Sequence, residues 1–128
     1  AVSNTIRGAV ASWANTLSRE LGADGITVNN VLPGYTRTQR LDQILADRSQ
    51  ASGKPQDEIA KGLLASVPVG RFAEAGEIGG VIAFLCTDAA AYVNGQSLAV
   101  DGGALSGWGE DLRPVIRKRM ADAKAGHA

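Results

Sequence analysis

Apolar and polar positions alternate along this chain in two rhythms. Ile6, Val10, Trp13, Leu17 and Leu21 recur at spacings of four, three, four and four, which draws one apolar stripe along a helix from about Asn4 to Leu21. Gly22 and Gly25 end it. Ile26 to Leu32 follows, rich in β-branched residues and free of charge, as expected of a strand covered on both faces. The pattern then turns irregular, becomes helical from about Gln39 to Arg48, breaks at Ser52 to Pro55 and resumes as a second helical piece to Ser66. Val67-Pro68-Val69-Gly70 stops this excursion. Ile78, Val81, Ile82 and Leu85 mark another amphipathic helix from about Gly76 to Thr87, and Asn94-Gly95 turns the chain into a last strand, Ser97 to Asp101.

Strand, crossover helix and strand predict a right-handed parallel unit of α/β class. Only two strands are evident, and a two-stranded sheet is marginal without neighbours. The first helix also needs a strand to pack beside, and none precedes it. The pattern therefore predicts part of a larger protein, or a chain completed by copies of itself or by a partner.

Composition narrows the function classes. With 45% hydrophobic and 20% charged residues, the 128-residue chain reads as one soluble domain. Thirteen basic residues balance thirteen acidic ones, so no net field attracts nucleic acid or an anionic membrane. The basic cluster Arg113 to Arg119 follows Glu110 and Asp111, as on a solvated helix with charges that complement its dipole. No apolar run reaches the roughly 18 residues that span a bilayer, and no signal-peptide layout opens the chain. Cys86 is the only cysteine. Its apolar setting, Val81 to Leu85, predicts a packed thiol, and the absence of a possible disulfide fits a reducing cytoplasm.

Candidate chemistry gathers where the first strand ends. Parallel sheets carry ligands beyond the carboxyl ends of their strands, so Pro33-Gly34 with Thr36 and Thr38 points to a cofactor site. Proline fixes a dihedral, glycine permits close backbone approach, and a hydroxyl both donates and accepts. Thr36 has a second reading as a helix N-cap, since Thr36-x-x-Gln39 fits a capping box. Arg37 and Arg40 flank this loop, suited either to drawing in an acidic substrate or to simple solvation. The excursion over residues 39–66 has the position of a ligand-covering lid.

The ordered set Arg19-Glu20-Leu21, Gly25-Ile26-Thr27-Val28-Asn29, Pro33-Gly34, Thr38, Gly70-Arg71-Phe72, Glu77-Ile78, Phe84-Leu85, Gly95-Gln96 and Val100-Asp101-Gly102-Gly103 resembles the C-terminal half of the short-chain dehydrogenase/reductase family. The resemblance runs from about Ser3 to Gly103, and the first helix is similar to that of 3-oxoacyl-carrier-protein reductase-like members. It implies a Rossmann-like, doubly wound parallel sheet of which this chain supplies the last two strands and their helices, with residues 39–66 as the variable substrate-covering excursion and 104–128 as a C-terminal helical tail. It further implies that Pro33, Gly34, Thr36 and Thr38 lie at the nicotinamide end of NAD or NADP.

The family's catalytic pair, a tyrosine four residues before a lysine, is absent. Tyr35 and Tyr92 are each followed four positions later by glutamine, and no lysine precedes Lys54. The resemblance places Ser3 where the tyrosine belongs and Arg7 where the lysine belongs. Arg7 is a permanent cation with a rigid fork, able to hold a ribose, or is a surface helix residue. Ser3 is either an altered catalytic residue or an N-cap, and an aliphatic hydroxyl is too weak an acid to protonate an alkoxide without another acid or a relay. The glycine-rich nucleotide loop and the residue that selects NAD or NADP are also missing, so this segment by itself is expected to be inactive.

Three features carry less. Gly103-x-x-x-Gly107-x-Gly109 matches a phosphate loop by spacing, but it follows what the resemblance makes the terminal strand. Trp13 lies on the apolar stripe and suits packing, within the domain or against a second copy. His127 has no ligand partners nearby in sequence. Taken together, the resemblance implies an NAD(P)-dependent oxidoreductase passing hydride between nicotinamide and a small carbonyl or alcohol substrate, cytoplasmic, and a homodimer or homotetramer built through its helices and last strand. The alternative, motivated by the altered pair, is a non-catalytic member serving assembly or nucleotide sensing.

Overall fold

The computed structural model describes residues 2–104 together with 120, 121 and 125, and of Ser3 and Asn4 the backbone only. The elements, in chain order, are α1 (Val2–Glu20), a short turn of helix at Gly22–Asp24, β1 (Asn30–Pro33), α2 (Gln39–Ser52), α3 (Gln56–Leu64), α4 (Ala75–Leu85), a second short turn at Asp88–Ala90, and β2 (Ser97–Val100). β1 and β2 pair in parallel, with Asn30 opposite Ser97 and Pro33 opposite Val100. This is the α/β arrangement expected from the pattern. The expected 104–128 tail, the Arg113–Arg119 cluster, His127, Gly107 and Gly109 lie outside the described residues.

β1 is shorter than its sequence suggests. Ladder pairing begins only at Asn30, because two asparagine side chains take over the backbone groups before it. Asn94 Oδ1 accepts from the Val28 amide at 2.9 Å, while its Nδ2 donates to the Ser18 carbonyl at 2.8 Å. Asn29 Nδ2 donates to the Val93 carbonyl at 2.8 Å and its Oδ1 accepts from the Gln96 amide at 3.0 Å. These bonds tie the end of α1 and the entries of both strands into one knot. Gly95, at φ 69°, turns the chain there.

The core sits away from the sheet. Leu41 of α2, Leu63 of α3 and Phe72 are buried together, with Tyr35, Leu45, Ala60 and Leu64 packed around them. Full burial of each large side chain contributes about 1.5–3 kcal/mol. The base of the 39–66 excursion is closed by a backbone cross-tie: Ala73 N–H donates to the Tyr35 carbonyl at 2.9 Å and Arg37 N–H to the Ala73 carbonyl at 2.8 Å.

Three expectations about burial are corrected. The strand is not covered on both faces, since Ile26 and Leu32 are 47% and 38% exposed. Among the described residues the sheet has two strands, and β2 is the one paired with β1. Ile6, Val10 and Trp13 of the α1 stripe are likewise exposed, and Cys86 is an exposed thiol rather than a packed one. α4 buries Ile78 but leaves Ile82, Phe84 and Cys86 outward, so an apolar neighbourhood in sequence did not become one in space.

Asn94→Ala leaves the Val28 amide and the Ser18 carbonyl without their side-chain partner, and should destabilise the protein by about 1–3 kcal/mol. Denaturant unfolding midpoints at unchanged slope check this.

Candidate functional site

β1 ends at a corner whose geometry admits only glycine. The Gly34 amide donates to the Val100 carbonyl at 3.0 Å, continuing the ladder one step past Pro33. A Cβ on Gly34 would lie 2.6 Å from Asp101 Cα and 2.8 Å from Asp101 Cβ. The close approach that this glycine permits is therefore between the two strand ends. Asp101 Oδ1 accepts the Gly103 amide at 2.9 Å, and the Gly102 carbonyl accepts the Val69 amide at 3.1 Å. A Cβ on Gly102, at φ 64°, would meet Val67 Cγ1 at 2.9 Å. The Val67–Gly70 turn thus lies directly on the end of β2.

Between α1 and β1 opens a cleft of about 920 Å³. Ile6, Arg7 and Val10 of α1 form one wall, and Val31 to Tyr35 with Asp101 form the other. Apolar walls of this kind suit a planar aromatic ring, while Arg7 offers donors for ribose hydroxyls or a phosphate. The cleft sits at the carboxyl ends of parallel strands, where the backbone of such sheets leaves room for ligands.

The structure brings Arg7, Pro33 and Gly34 into this one cleft. Thr36 and Thr38 do not line it. The Thr36 hydroxyl donates to the Gly34 carbonyl at 3.0 Å and so braces the corner, and the Thr38 hydroxyl donates to the Thr36 carbonyl at 3.4 Å. The capping box read from Thr36 and Gln39 does not form: α2 begins at Gln39 with extended Thr38 as its N-cap, two residues later than that motif requires. Ser3 falls within α1 one turn before Arg7, and its side chain is outside the described residues. Arg37 is engaged by Glu74, Nε to Oε1 at 3.1 Å, a solvent-exposed pair of the kind that contributes about 0–1 kcal/mol.

Two lining residues had gone without a role in the sequence reading. Tyr35 and Asp101 line both this cleft and a smaller one of about 180 Å³ behind it, which Arg71 and Glu77 close. The signal for Tyr35 was its place directly after Pro33-Gly34 at a strand end. Arg71 grips Glu77 through two bonds of 2.7 Å, and Glu77 Oε2 also accepts the Glu74 amide at 2.8 Å, which caps α4. The Arg71 hydrogen bonds, then the Glu74 amide, draw the Glu77 carboxyl down from 4.5 to about 2, and the same contact raises Arg71. Among the described residues no group of three or more His, Cys, Asp or Glu is placed to hold a metal ion, and no helix is long and apolar enough to cross a membrane.

Comparison with known proteins adds the following. The family model described as Enoyl-(Acyl carrier protein) reductase matches residues 1–104. Cyclohexanol dehydrogenase of Rhodococcus sp. strain TK6 is 43% identical over 97 residues, which cover 76% of this chain and 32% of that protein. The 3-oxoacyl-[acyl-carrier-protein] reductase of Haemophilus influenzae is 37% identical over 97 residues, 76% of this chain and 36% of its own length. The crystal structure of a variant actinorhodin polyketide ketoreductase with NADPH superposes with a TM-score of 0.68 at 33% identity, covering 74% of this chain and 36% of that one. The chain spans about a third of the length of the curated relatives it matches.

Because the folded-state carboxyl of Glu77 titrates near 2 against an ordinary 4.5, its stabilisation is fully present above about pH 4.5 and is lost as pH falls toward 2. Glu77→Gln should unfold more readily than wild type at pH 7, with the difference vanishing near pH 2. Thermal melts across that range check it.

Proposed function

The chain belongs to the short-chain dehydrogenase/reductase family, and from that premise we propose that it forms the nicotinamide-end wall of an NAD(P)-dependent oxidoreductase reducing a small carbonyl compound or oxidising the matching alcohol. The observation that carries this reading is the meeting of Arg7, Pro33 and Gly34 in one apolar-walled cleft at the carboxyl ends of two parallel strands. Relatives that cover the same segment include a dehydrogenase of a cyclic alcohol and a reductase of 3-oxoacyl groups, and a similar ketoreductase binds NADPH.

The residues fit the nicotinamide end of such a cofactor. Ile6, Val10, Val31 and Pro33 supply flat apolar surface for the ring and exclude water from it. Arg7 would hold the nicotinamide ribose with its guanidinium donors, and its positive charge would favour negative charge on a substrate oxygen. Thr36 keeps the Pro33-Gly34 corner rigid through its bond to the Gly34 carbonyl. Thr38, exposed at the N-cap of α2, would offer its hydroxyl to the nicotinamide amide. When bound, the cofactor supplies the hydride chemistry itself. Ser3 stands one helical turn from Arg7 and orients substrate or relays a proton.

The exposed apolar residues of α1, α4 and β2, namely Trp13, Ile82, Phe84 and Leu98, support association into a homodimer or homotetramer. That assembly also serves the alternative reading, a nucleotide-binding member without turnover.

The complete protein should quench or shift NADPH or NADH fluorescence on binding and should reduce cyclohexanone or acetoacetyl-coenzyme A. Arg7→Ala should weaken that nucleotide binding by roughly tenfold or more, as loss of a charged hydrogen-bond donor costs about 1.5–3 kcal/mol. Binding without reduction of either ketone favours the non-catalytic alternative, and absence of nucleotide binding overturns both.

A further inference from the structure

We propose that the groove between α2 and α3 binds the phosphate groups of a small molecule, with Arg48, Lys54 and Lys61 as the donors. The groove encloses about 590 Å³ and is lined by Arg48 of α2, Lys54 of the link between the helices, and Lys61 and Gly62 of α3. Glu58 is the one carboxylate among its lining residues. Three cations against one acid leave this place positive in a chain whose thirteen basic and thirteen acidic residues otherwise cancel.

The cations are not spent on the protein. Glu58 is taken up by Lys54, Oε1 to Nζ at 3.2 Å, and Asp47, beside Arg48 in sequence, accepts instead from Gln43 at 2.6 Å. Arg48 and Lys61 form no ion pair with any described residue. A guanidinium on one helix and an ammonium on the other thus share a groove with no countercharge of their own.

The frame that carries them is stiff. Gly53, at φ 70°, ends α2 with its amide on the Ser49 carbonyl at 2.9 Å, and the Ser49 hydroxyl donates to the Lys54 carbonyl at 2.6 Å. Leu63, which also lines the groove, is buried with Leu41 and Phe72 and locks α3 to α2. Donors held this way lose little further freedom when they close on a ligand. The groove floor is also bare. A Cβ on Gly62 would meet nothing within 4 Å, so no neighbour in this chain requires a residue that weakens a helix interior.

Phosphate fits this donor set better than carboxylate. It presents three oxygens and more than one charge to a forked guanidinium and two ammonium groups, where a carboxylate presents two oxygens and one charge. The phosphate arrives either on a free molecule or on a handle attached to the substrate. Ser66, which lines the cofactor cleft, lies eight residues beyond Glu58, roughly 12 Å at helical rise. A handle anchored in the groove spans that distance. Binding itself is independent of hydride transfer, and only the second source rests on that reading.

The test uses the complete protein with saturating NADPH, so that the cofactor's own site is filled. Inorganic pyrophosphate should bind by titration calorimetry. Arg48→Gln with Lys61→Gln should weaken it by at least about tenfold at an unchanged melting temperature, because both side chains are exposed. Arg19→Gln, the loss of an exposed cation on α1, should leave affinity within about twofold. Absence of pyrophosphate binding, or a double variant that binds as well as wild type, overturns the site. Equal weakening by Arg19→Gln overturns it too, since general charge would then account for the binding. Kinetics separate the sources. A KM for acetoacetyl-coenzyme A raised at least about fivefold in the double variant, with that for cyclohexanone unchanged, supports phosphate on the substrate. Lost pyrophosphate binding with both KM values unchanged supports a free phosphate compound in the same groove. A protein that reduces neither ketone overturns the hydride-transfer reading alone, and calorimetry still decides the groove.

Discussion

The contact on which the rest depends is the meeting of Gly34 with Asp101. With no side chain on Gly34, the two parallel strands end flush, and the ladder carries one bond beyond Pro33 to the Val100 carbonyl. From that shared end the chain leaves in two directions. One path runs through Tyr35 and Thr36 into the helical excursion, and the other through Gly102 and Gly103 beneath the Val67–Gly70 turn. A larger residue at 34 would push the strand ends apart by a distance that a close-packed interior does not absorb. The cleft wall, the Tyr35 ring and the cross-tie to Ala73 would all shift together.

Stability is unevenly spread around this corner. On the excursion side Leu41, Leu63 and Phe72 form a buried cluster, and the Arg71–Glu77 pair caps α4 beside it. On the α1 side the strand entries are held by asparagine hydrogen bonds while Ile6, Val10 and Trp13 stay exposed. The cleft lies between these regions, one wall set by β1 and the corner and the other by Ile6, Arg7 and Val10 of α1. The excursion is less free than a lid read from sequence, because its base is pinned at Tyr35, Arg37 and Ala73.

The helices were legible because their signal is local. The three-to-four spacing of Ile6, Val10, Trp13, Leu17 and Leu21, and of Ile78, Val81, Ile82 and Leu85, fixes periodicity whatever surrounds it. The parallel pairing of the strands was legible from the length of the crossover. Burial was not, because it depends on neighbours: Ile26, Leu32 and Cys86 look interior in sequence and stand exposed beside a two-stranded sheet. Nor were the asparagine staples, since Asn94 to Val28 and Asn29 to Val93 join residues more than 60 positions apart with no local signature. At the site, Arg7, Pro33 and Gly34 line one cleft. Thr36 turned inward to brace the backbone, and Tyr35, set aside for lacking a lysine one turn later, came to line the cleft.

The most direct measurement is to place a methyl group at the corner. In the complete protein, Gly34→Ala should lower the melting temperature and, in the fraction still folded, weaken NADPH binding by at least about tenfold, because one contact sets both the strand ends and the cleft wall. A Gly34→Ala protein that melts with wild type and binds NADPH equally well would contradict the account.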